Sequence, residues 1–450
     1  MLRRLILTGA AVFAFADSAI VVLALPELVT RFDASVTGVS WVLNAYNLTA
    51  AVTALVAVVA RPEPKRTAIV GAAVFTIASI VCAASPSLAV LVVARGLQGV
   101  GGALLLVGSA RLIPRSDWEH AGALGLAAGP ALGGLLTQLI DWRAIFVAQV
   151  PFALGAVVAL AVASRVERPR EHRLPAARDA AHVLVAAALA GALFLTVILL
   201  VNGWSLTPLE AAALLTLVPG AGLAASLALP EIGARLTAAL GIVGIALGLG
   251  VLGFLSGESI PLVAVALVAI GAGTGLALGL GLPRLGVRNH DPGASWAIVA
   301  RHAGLLLGCA LLAPLLASSL RDVRDEAIKD GARRVISAPI SVRTKVTLSF
   351  YLARAVIRTP NGELPDIDGA FDRARGSADE EDRRDLAQLE TSLHDVVKDA
   401  VTRAFRQPYR VAALLALLAL VPVAAQGFLR FERVGERAVR VTRAPPSKVR

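Results

Sequence analysis

Residues 88–110 read LAVLVVARGLQGVGGALLLVGSA. The stretch is 23 residues long, and Arg95 is its single ionisable side chain. A helix needs about 20 mainly apolar residues to cross the hydrocarbon core of a bilayer, which is about 30 Å thick. The stretch therefore predicts a transmembrane helix that carries one charged group.

Eleven further stretches of similar length have the same apolar character. The chain of 450 residues is 56% hydrophobic and 17% charged, with a mean hydropathy of +0.73. A soluble globular protein is about half apolar and about a quarter charged, so a soluble enzyme is excluded. The pattern predicts an all-α polytopic membrane protein with 12 transmembrane helices, near residues 5–28, 37–60, 68–85, 88–110, 120–140, 144–164, 182–201, 207–229, 237–255, 259–282, 294–318 and 410–429.

The net charge of +11 would suggest nucleic-acid binding if it lay on one soluble surface. The basic residues are instead concentrated on one side of the predicted spans. With a cytoplasmic N-terminus, the termini and short inner loops hold 22 Lys and Arg residues, and the short outer loops hold two. Such an excess marks the cytoplasmic side of a membrane protein. We therefore expect a multi-pass protein of the bacterial cytoplasmic membrane with both termini in the cytoplasm, and no nucleic-acid partner.

The order of the spans divides the chain into two sets of six helices. The predicted segments are an N-terminal six-helix bundle (1–164), a cytoplasmic linker (165–180), helices 7–11 of a C-terminal bundle (181–320), an extracytoplasmic helical insert (321–408), helix 12 (409–432) and a basic cytoplasmic tail (433–450).

The insert differs from the rest of the chain because it carries 16 acidic and 16 basic residues. Ser377 and Glu380 have the spacing of a capping box at the start of a helix, and an apolar stripe follows them. We expect that helix to run through Pro408 into helix 12, and helix 11 to extend out of the membrane through Ile336. The insert is therefore predicted to form a small domain of three or four helices.

Ionisable groups inside hydrocarbon are costly, so each one is a functional candidate. Asp17 lies about 18 Å from the inner face of the first span, and Arg95 lies about 10 Å from the outer face of the fourth. In a core about 30 Å thick, these depths coincide. The two side chains could face each other or share a cavity, with Asp17 as a proton carrier. The alternative is a structural ion pair that only fixes helix packing.

Four motifs in order resemble the drug:proton antiporter branch of the major facilitator superfamily. Asp17-Ser-Ala-Ile-Val-Val-Leu-Ala-Leu-Pro26 and Trp41-Val-Leu-Asn-Ala-Tyr-Asn-Leu48 are similar to its first two helices. Arg95-Gly-Leu-Gln-Gly-Val-Gly-Gly-Ala103 is similar to its helix-four motif. Gly129-Pro-Ala-Leu-Gly-Gly134, before Asp141-Trp-Arg-Ala-Ile-Phe146, is similar to its antiporter motif in helix five. Weaker matches continue into the eleventh span.

The resemblance implies two six-helix bundles, a central cavity and alternating access. It ties Arg95 to proton coupling, and with the depth argument above we expect Asp17 and Arg95 to carry out proton coupling together. Residues expected to line the substrate cavity are Asn44, Tyr46, Asn47, Gln98, Arg301 and His302. Residues expected to shape gating and helix packing are Gly99, Gly129, Pro130, Gly133 and Gly134. Ordinary packing of small residues is the alternative for these glycines.

Two departures from the family pattern leave a second hypothesis open. Residues 60–66 lack the Gly and Asp that the family uses in the loop between helices two and three, and the insert at 321–408 is large. The first hypothesis is therefore proton-coupled export of a small organic or drug-like compound. The second is a transporter-derived, non-transporting scaffold or sensor that acts through the insert, with an extracytoplasmic protein or cell-wall partner.

Neither hypothesis needs a catalytic centre. The six histidines lack metal-ligand spacing, and we find no nucleophile with a suitable base. We therefore expect no enzyme activity, no cofactor and no metal. The expected partners are a small-molecule substrate, protons and the lipid bilayer, together with the extracytoplasmic protein or cell-wall partner of the insert.

Overall fold

The structure is a computed structural model that describes residues 2–161, 177–228, 233–278, 294–358, 367–376 and 378–425. Within these ranges the chain is helical, with short turns and no strand. Most of the predicted linker and all of the predicted basic tail lie outside the described residues.

The first half of the chain forms six spans. Their helices are α1 (Leu2–Ile20), continued by a 3₁₀ turn (Val21–Ala24) and α2 (Leu25–Phe32), then α3 (Val36–Ala60), α4 (Pro64–Ala83), α5 (Leu88–Ser109), α6 (Arg115–Leu139) and α7 (Ala144–Ala161). Local sequence sets several of these starts. The Ser35 and Ser87 side chains accept hydrogen bonds from the first turns of α3 and α5, as residues at helix N-termini commonly do.

The second half forms six more spans and two shorter helices. They are α8 (Ala177–Ile198) with a π-helical turn (Leu199–Gly203), α9 (Pro208–Leu215), α10 (Leu217–Ala228), α11 (Ala234–Leu252), α12 (Ile260–Leu278), α13 (Ala294–Ser337), α14 (Val342–Arg358), α15 (Asp368–Arg375) and α16 (Glu380–Leu418). The helices α9 and α10 together make one span.

Among the described residues, 11 helical segments are long and apolar enough to cross a membrane. The remaining segment of the predicted 12 is α6, which is 25 residues long but begins with the polar sequence RSDWEH. It packs against α1 on one side and α9 on the other. The prediction of an all-α membrane protein with 12 spans is therefore confirmed in outline.

The two ends of the helix bundle can be named from contacts between helices. At the lower end, Arg4 forms an ion pair with Asp117. At the upper end, the Gln138 side chain accepts a hydrogen bond of 2.8 Å from the backbone N–H of Leu209. The sequence predicts that the lower end lies in the cytoplasm.

Two helices extend well beyond the bundle at its upper end. α13 has 44 residues and α16 has 39, so they measure roughly 66 and 58 Å at 1.5 Å per residue. Both predicted extensions are confirmed, and α16 continues through Pro408. We call the extended parts of α13 and α16, together with α14 and α15, the outer domain. It has its own apolar core, which includes Val335, Leu348, Phe371, Leu386 and Leu389.

The predicted capping box at the start of α16 is wrong in its position. α16 begins at Glu380 and follows Asp379, whose side chain makes no capping hydrogen bond; Ser377 lies outside the described residues. The first turn contains Glu380, Glu381 and Asp382 instead. Negative side chains there interact favourably with the positive end of the helix dipole, which accounts for a start without the capping box.

The two halves of the chain meet along α3 with α13 and along α6 with α9. Within the halves, small residues allow close helix packing. A Cβ atom on Gly101 would overlap the backbone of Phe75 in α4, and one on Gly304 would overlap the carbonyl oxygen of Val183 in α8. Such contacts are typical of membrane helices, where small residues let backbones approach.

Candidate functional site

Four buried side chains in the first half form a closed ring of hydrogen bonds. Arg95 Nη1 donates to Asp17 Oδ2 and to Gln98 Oε1, each at 2.6 Å. Gln98 Nε2 donates to Gln149 Oε1 at 2.9 Å, and Gln149 Nε2 donates to Asp17 Oδ1 at 3.0 Å. The ring joins α1, α5 and α7, and all four residues are 0% exposed.

The ring is held by contacts around Arg95 and Gln98. Arg95 Nε donates to the Val42 carbonyl oxygen at 3.0 Å, and its guanidinium lies 4.3 Å from the centre of the Tyr46 ring. Gln98 Nε2 also donates to Ser79 Oγ at 2.9 Å. A guanidinium over an aromatic face gains a cation–π interaction that strengthens away from water. These contacts fix the orientation of the ion pair between Asp17 and Arg95, in which both side chains are fully buried.

The ring is chemically well suited to respond to a proton. Both Asp17 oxygens accept hydrogen bonds, and the bond from Arg95 joins two charged groups, which makes it the stronger of the two. Arg95 Nη2 is buried without a hydrogen-bond partner. Removing one charge of a buried pair leaves the other uncompensated, which is costly. A proton on Asp17 would therefore weaken the link to Arg95 and favour a new arrangement of the ring.

A second set of polar contacts connects the ring region to the second half of the chain. Ser18 Oγ donates to Asn47 Oδ1 at 3.2 Å, and His302 Nδ1 of α13 lies 2.8 Å from the same oxygen. The Tyr46 and His302 rings meet edge to face with centres 5.7 Å apart. Tyr46 thus lies between Arg95 of the first half and His302 of the second.

Arg301 also reaches across the boundary between the halves. Its Nη2 donates to the carbonyl oxygen of Phe15 in α1 at 2.7 Å, and its guanidinium lies 5.2 Å from the centre of the Phe15 ring. Two nearby buried atoms, Asn44 Oδ1 and His302 Nε2, have no hydrogen-bond partner. Polar atoms in this state can bind a ligand or water, because a buried group without a partner is costly.

The structure places the six predicted cavity residues in two groups. Gln98 belongs to the closed ring and is fully buried within the first half. Asn47, Tyr46, Arg301 and His302 meet at the boundary between halves, and Asn44 lies one turn along α3 from Asn47.

The five predicted gating residues lie at close helix contacts. A Cβ atom on Gly99 would overlap the Tyr46 carbonyl oxygen in α3, and one on Gly133 would overlap that of Ile20. A Cβ on Gly129 would lie 2.7 Å from the Cβ of Ala19. Gly134 faces Ala212 of α9, so its contact joins the two halves. Pro130 lies inside α6. Their common property is close packing, and their gating role remains a prediction.

A family model for the Major Facilitator Superfamily matches residues 7–323, which is well over half of the chain. The chain belongs to the Major Facilitator Superfamily. It is therefore a multi-pass membrane protein of a transporter family, as the motifs predicted. The outer domain lies mostly beyond the matched residues.

Curated relatives in this superfamily include drug-efflux and drug-resistance proteins. The chain is 35% identical over 187 residues to the multidrug resistance protein Stp of Mycobacterium tuberculosis, covering 38% of this chain and 34% of that protein. It is 38% identical over 166 residues to the drug efflux pump JefA of the same organism, covering 34% of this chain and 32% of that protein. The matches thus span about a third of the length of these relatives.

Solved superfamily structures are similar over nearly the whole chain. A bacterial homologue of the human lysosomal transporter Spinster, in an inward-facing and occupied conformation, matches with a TM-score of 0.62 at 14% identity. The match covers 95% of this chain and 97% of that one. At this identity the similarity establishes the fold.

Residues that the superfamily motifs do not include complete the site. Gln149 closes the ring, and Ser79 supports Gln98, yet neither was predicted. Gln149 could have been found, because it is the one amide in the otherwise apolar sequence of α7 and polar groups inside hydrocarbon are rare. In the atypical loop at 60–66, the Glu63 side chain accepts hydrogen bonds from the backbone N–H groups of Lys65 and Arg66, so it caps α4.

Proposed function

We propose that this superfamily member is a proton-coupled exporter of a small organic compound that works by alternating access. In this mechanism the two halves rock against each other around a central site. Asp17 is the proton carrier and Arg95 is its charge partner. The substrate site lies at the boundary between halves and is formed by Asn44, Tyr46, Asn47, Arg301 and His302, with Gln98 behind them.

The observation that carries the proposal is the closed ring around Asp17. Both Asp17 carboxylate oxygens are engaged by groups from two other helices, so a proton on either oxygen changes a contact with α5 or α7. Protonation replaces a charged acceptor with a neutral one, so the ring loses the ion pair between Asp17 and Arg95.

The proposal requires a connection between the proton site and the moving boundary. Ser18 follows Asp17 in α1 and bonds to Asn47, which bonds to His302. A rearrangement at Asp17 can therefore shift α1 and change the contacts that hold the halves together. The two halves would move against each other along the close packing of α6 with α9, which includes the contact of Gly134 with Ala212.

The export direction and the membrane orientation belong to the same proposal. The excess of basic residues in one set of loops supports cytoplasmic termini, and the drug-efflux relatives support export of a drug-like compound. In the proposed division of the chain, the first bundle is residues 1–164, and the second is residues 181–320 together with 409–432. The insert, residues 321–408, lies on the extracytoplasmic side of the membrane.

The test measures proton movement in proteoliposomes that contain a pH-sensitive dye and the purified full chain. A library of drug-like compounds is added, and compounds that move protons are kept. Asp17→Asn should abolish proton movement with these compounds while compound exchange between the two sides continues. The matched control is Asp141→Asn, which removes a half-exposed carboxylate paired with Arg143 at 3.2 Å. Proton movement retained by Asp17→Asn would contradict the proposal.

A second function is favoured by the outer domain. α14 has a buried side that includes Leu348 and an apolar side that the described residues leave exposed. On that side Val342, Val346 and Phe350 repeat every four residues, with exposed fractions of 78%, 64% and 59%. An exposed stripe of this kind marks an interaction surface. It supports the alternative that the chain is a scaffold or sensor.

The chemistry of α14 suggests which partner would bind it. The helix contains four basic residues, Arg343, Lys345, Arg354 and Arg358, and no acidic residue. Near the C-terminal end of α14, Arg324 of α13 donates to the Val356 carbonyl oxygen at 2.7 Å. Just before its N-terminal end, the Ser341 hydroxyl donates to Asp382 in the first turn of α16, far from the bundle. α14 therefore runs along the outer domain toward the bundle and does not lie flat on a bilayer. A protein partner with an acidic amphipathic helix fits this surface.

A photo-reactive amino acid at position 350 tests the alternative in intact cells. The expected product is one cross-linked protein whose adduct lies in an acidic helical segment, and Arg343→Glu with Arg354→Glu should remove it. The same probe at exposed position 384 of α16 is the control. Absence of a specific product at position 350 would contradict the alternative.

A further inference from the structure

The boundary between the two halves has an uneven balance of charge. The adjoining ring adds no net charge, because Asp17 and Arg95 neutralise each other. Arg301 adds a positive charge at the boundary, and His302 adds an imidazole ring.

Arg301 has no carboxylate partner among the described residues. A guanidinium offers five N–H donors, and the structure gives the Arg301 group a single acceptor, the Phe15 carbonyl oxygen. The closest acidic residue along α1 is Asp17, but both of its oxygens are engaged in the ring. Asp179 of α8 lies one turn before Val183, toward the lower end of the bundle, and has interactions of its own.

The position of Arg301 distinguishes it from the other arginines of the spans. Arg410 is the nearest match, because its Nε donates to the Gly253 carbonyl oxygen at 3.0 Å and its guanidinium lies 4.6 Å from the Phe254 ring. Arg410 lies near the upper end, within the second half. Arg301 is instead half-buried at the boundary, beside the unpartnered Nε2 of His302.

We propose that the substrate of this transporter carries an anionic group, such as a carboxylate or a phenolate, and that Arg301 binds it. This inference rests on the proposed export function and names its substrate class. The planar fork of a guanidinium matches the two oxygens of a carboxylate. His302 Nε2 and Asn44, one turn from the Asn47–His302 contact, are available for the neutral polar groups of the same compound. The apolar part of the compound lies against Tyr46 and Phe15.

The positive charge of Arg301 disfavours a cationic substrate at the boundary between the halves. A cationic compound at the boundary would meet Arg301 without a free carboxylate, since Asp17 is held by Arg95 and Gln149. Like charges in a poorly solvated site repel strongly. An anion instead compensates a charge that is otherwise costly to bury.

The test measures binding without any proton gradient. Naphthalene, indole and anthraquinone are each prepared as the carboxylate, the primary amide and the aminomethyl cation. Their apparent Kd values for the purified full chain are measured from shifts of the thermal unfolding midpoint. The carboxylates should bind about 10- to 100-fold more tightly than the amides, because a hydrogen-bonded charge contributes about that factor. The cations should bind most weakly.

Arg301→Gln should remove the preference for carboxylates, and Arg301→Lys should keep part of it. Arg410→Gln is the matched control and should leave the preference unchanged. Equal or tighter binding of the cations by the wild-type chain would overturn the inference, as would failure of all nine compounds to bind. A preference retained by Arg301→Gln would also overturn it. Loss of proton coupling in the Asp17 test leaves this preference unaffected, so the two proposals can fail separately.

Discussion

The imidazole Nδ1 of His302 and the side-chain oxygen of Asn47 lie 2.8 Å apart, although the two residues are 255 positions apart in sequence. The contact joins α13 of the second half to α3 of the first. Ser18 of α1 donates to the same oxygen, so one amide oxygen links three spans. Any motion that separates the halves at this depth must break this bond.

The first prediction concerns this contact between the halves. Asn47→Ala and His302→Ala should each lower the thermal stability of the purified chain, and the double variant should lose less than the sum of the two. The expected coupling is about 0.5–1.5 kcal/mol, the usual contribution of a hydrogen bond. Strictly additive losses would show that the contact contributes nothing to stability.

The second prediction concerns Gln149, which closes the ring. Gln149→Leu leaves Asp17 Oδ1 and Gln98 Nε2 without the partners they have at 3.0 and 2.9 Å. We expect a loss of about 1–3 kcal/mol in the free energy of unfolding, because buried polar groups lose their hydrogen bonds. The control is Gln407→Leu, at an exposed position of α16, which should be nearly neutral. Equal effects of the two variants would contradict the assigned geometry.

The third prediction compares two glycines of α6. Gly133→Ala should destabilise the chain by about 1–3 kcal/mol, since its Cβ would overlap the backbone of Ile20 and overpacking costs this much. Gly122→Ala should be tolerated, because its Cβ would lie 3.7 Å from the Phe15 ring, an ordinary contact. Thermal unfolding of both variants is the measurement. Tolerance of Gly133→Ala would mean that α1 and α6 are less closely packed than described.

The fourth prediction concerns the pH dependence of the outer domain. Asp382 accepts hydrogen bonds from the Ser341 N–H at 2.9 Å and from the Ser341 and Thr344 hydroxyls at 2.6 Å each. These bonds lower the pKa of Asp382 below its ordinary value, the Ser341 hydroxyl having the largest effect. The stabilisation is thus complete above about pH 4, the unfolded pKa, and is lost as pH falls through the lower folded value.

Hydrogen exchange of the backbone near Ser341 is the measurement for this prediction. Protection should be constant from pH 7 to pH 5 after correction for intrinsic exchange rates, and should fall below pH 4. Asp382→Asn should reduce protection at neutral pH and remove most of the acid dependence. The adjacent exposed Glu381→Gln is the control and should behave like the wild type. Acid dependence retained by Asp382→Asn would assign it to another group.

The fifth prediction concerns orientation in the membrane. The two native cysteines, Cys82 and Cys309, are buried, so new cysteines can be labelled selectively. Val342→Cys in the outer domain should react with an impermeant thiol reagent in intact cells. Arg66→Cys at the lower end should react only after the cells are permeabilised. The opposite pattern would reverse the proposed orientation.

Several features of this protein could be predicted from local sequence. The ability to cross a membrane is a property of about 20 consecutive residues, so the spans and the 12-helix architecture follow from apolar runs. The extensions of α13 and α16 follow likewise from continuous helical patterns. The start of α16 was misplaced, because a capping box and an acidic first turn within a few residues both favour a helix start, and local sequence does not choose between them.

The partners of the buried polar groups were decided by tertiary structure. Matching depths predicted that Asp17 and Arg95 could meet, but depth does not fix the rotation of a helix about its axis. Gln149 closes the ring only because α7 packs beside α1 with that side chain turned inward. Arg301 contacts Phe15 only because the second half lies against the first.

The physical reason is that lipid stabilises any apolar helix as a non-specific solvent, whereas a buried polar group needs specific partner atoms. An apolar stretch is stabilised by lipid wherever it inserts, so its own sequence determined the spans. A buried carboxylate, amide or guanidinium is stabilised only by specific atoms within hydrogen-bond distance, and those atoms come from helices distant in sequence. The sequence by itself therefore determined which segments cross the membrane, and the packing of the helices decided which polar groups meet inside it.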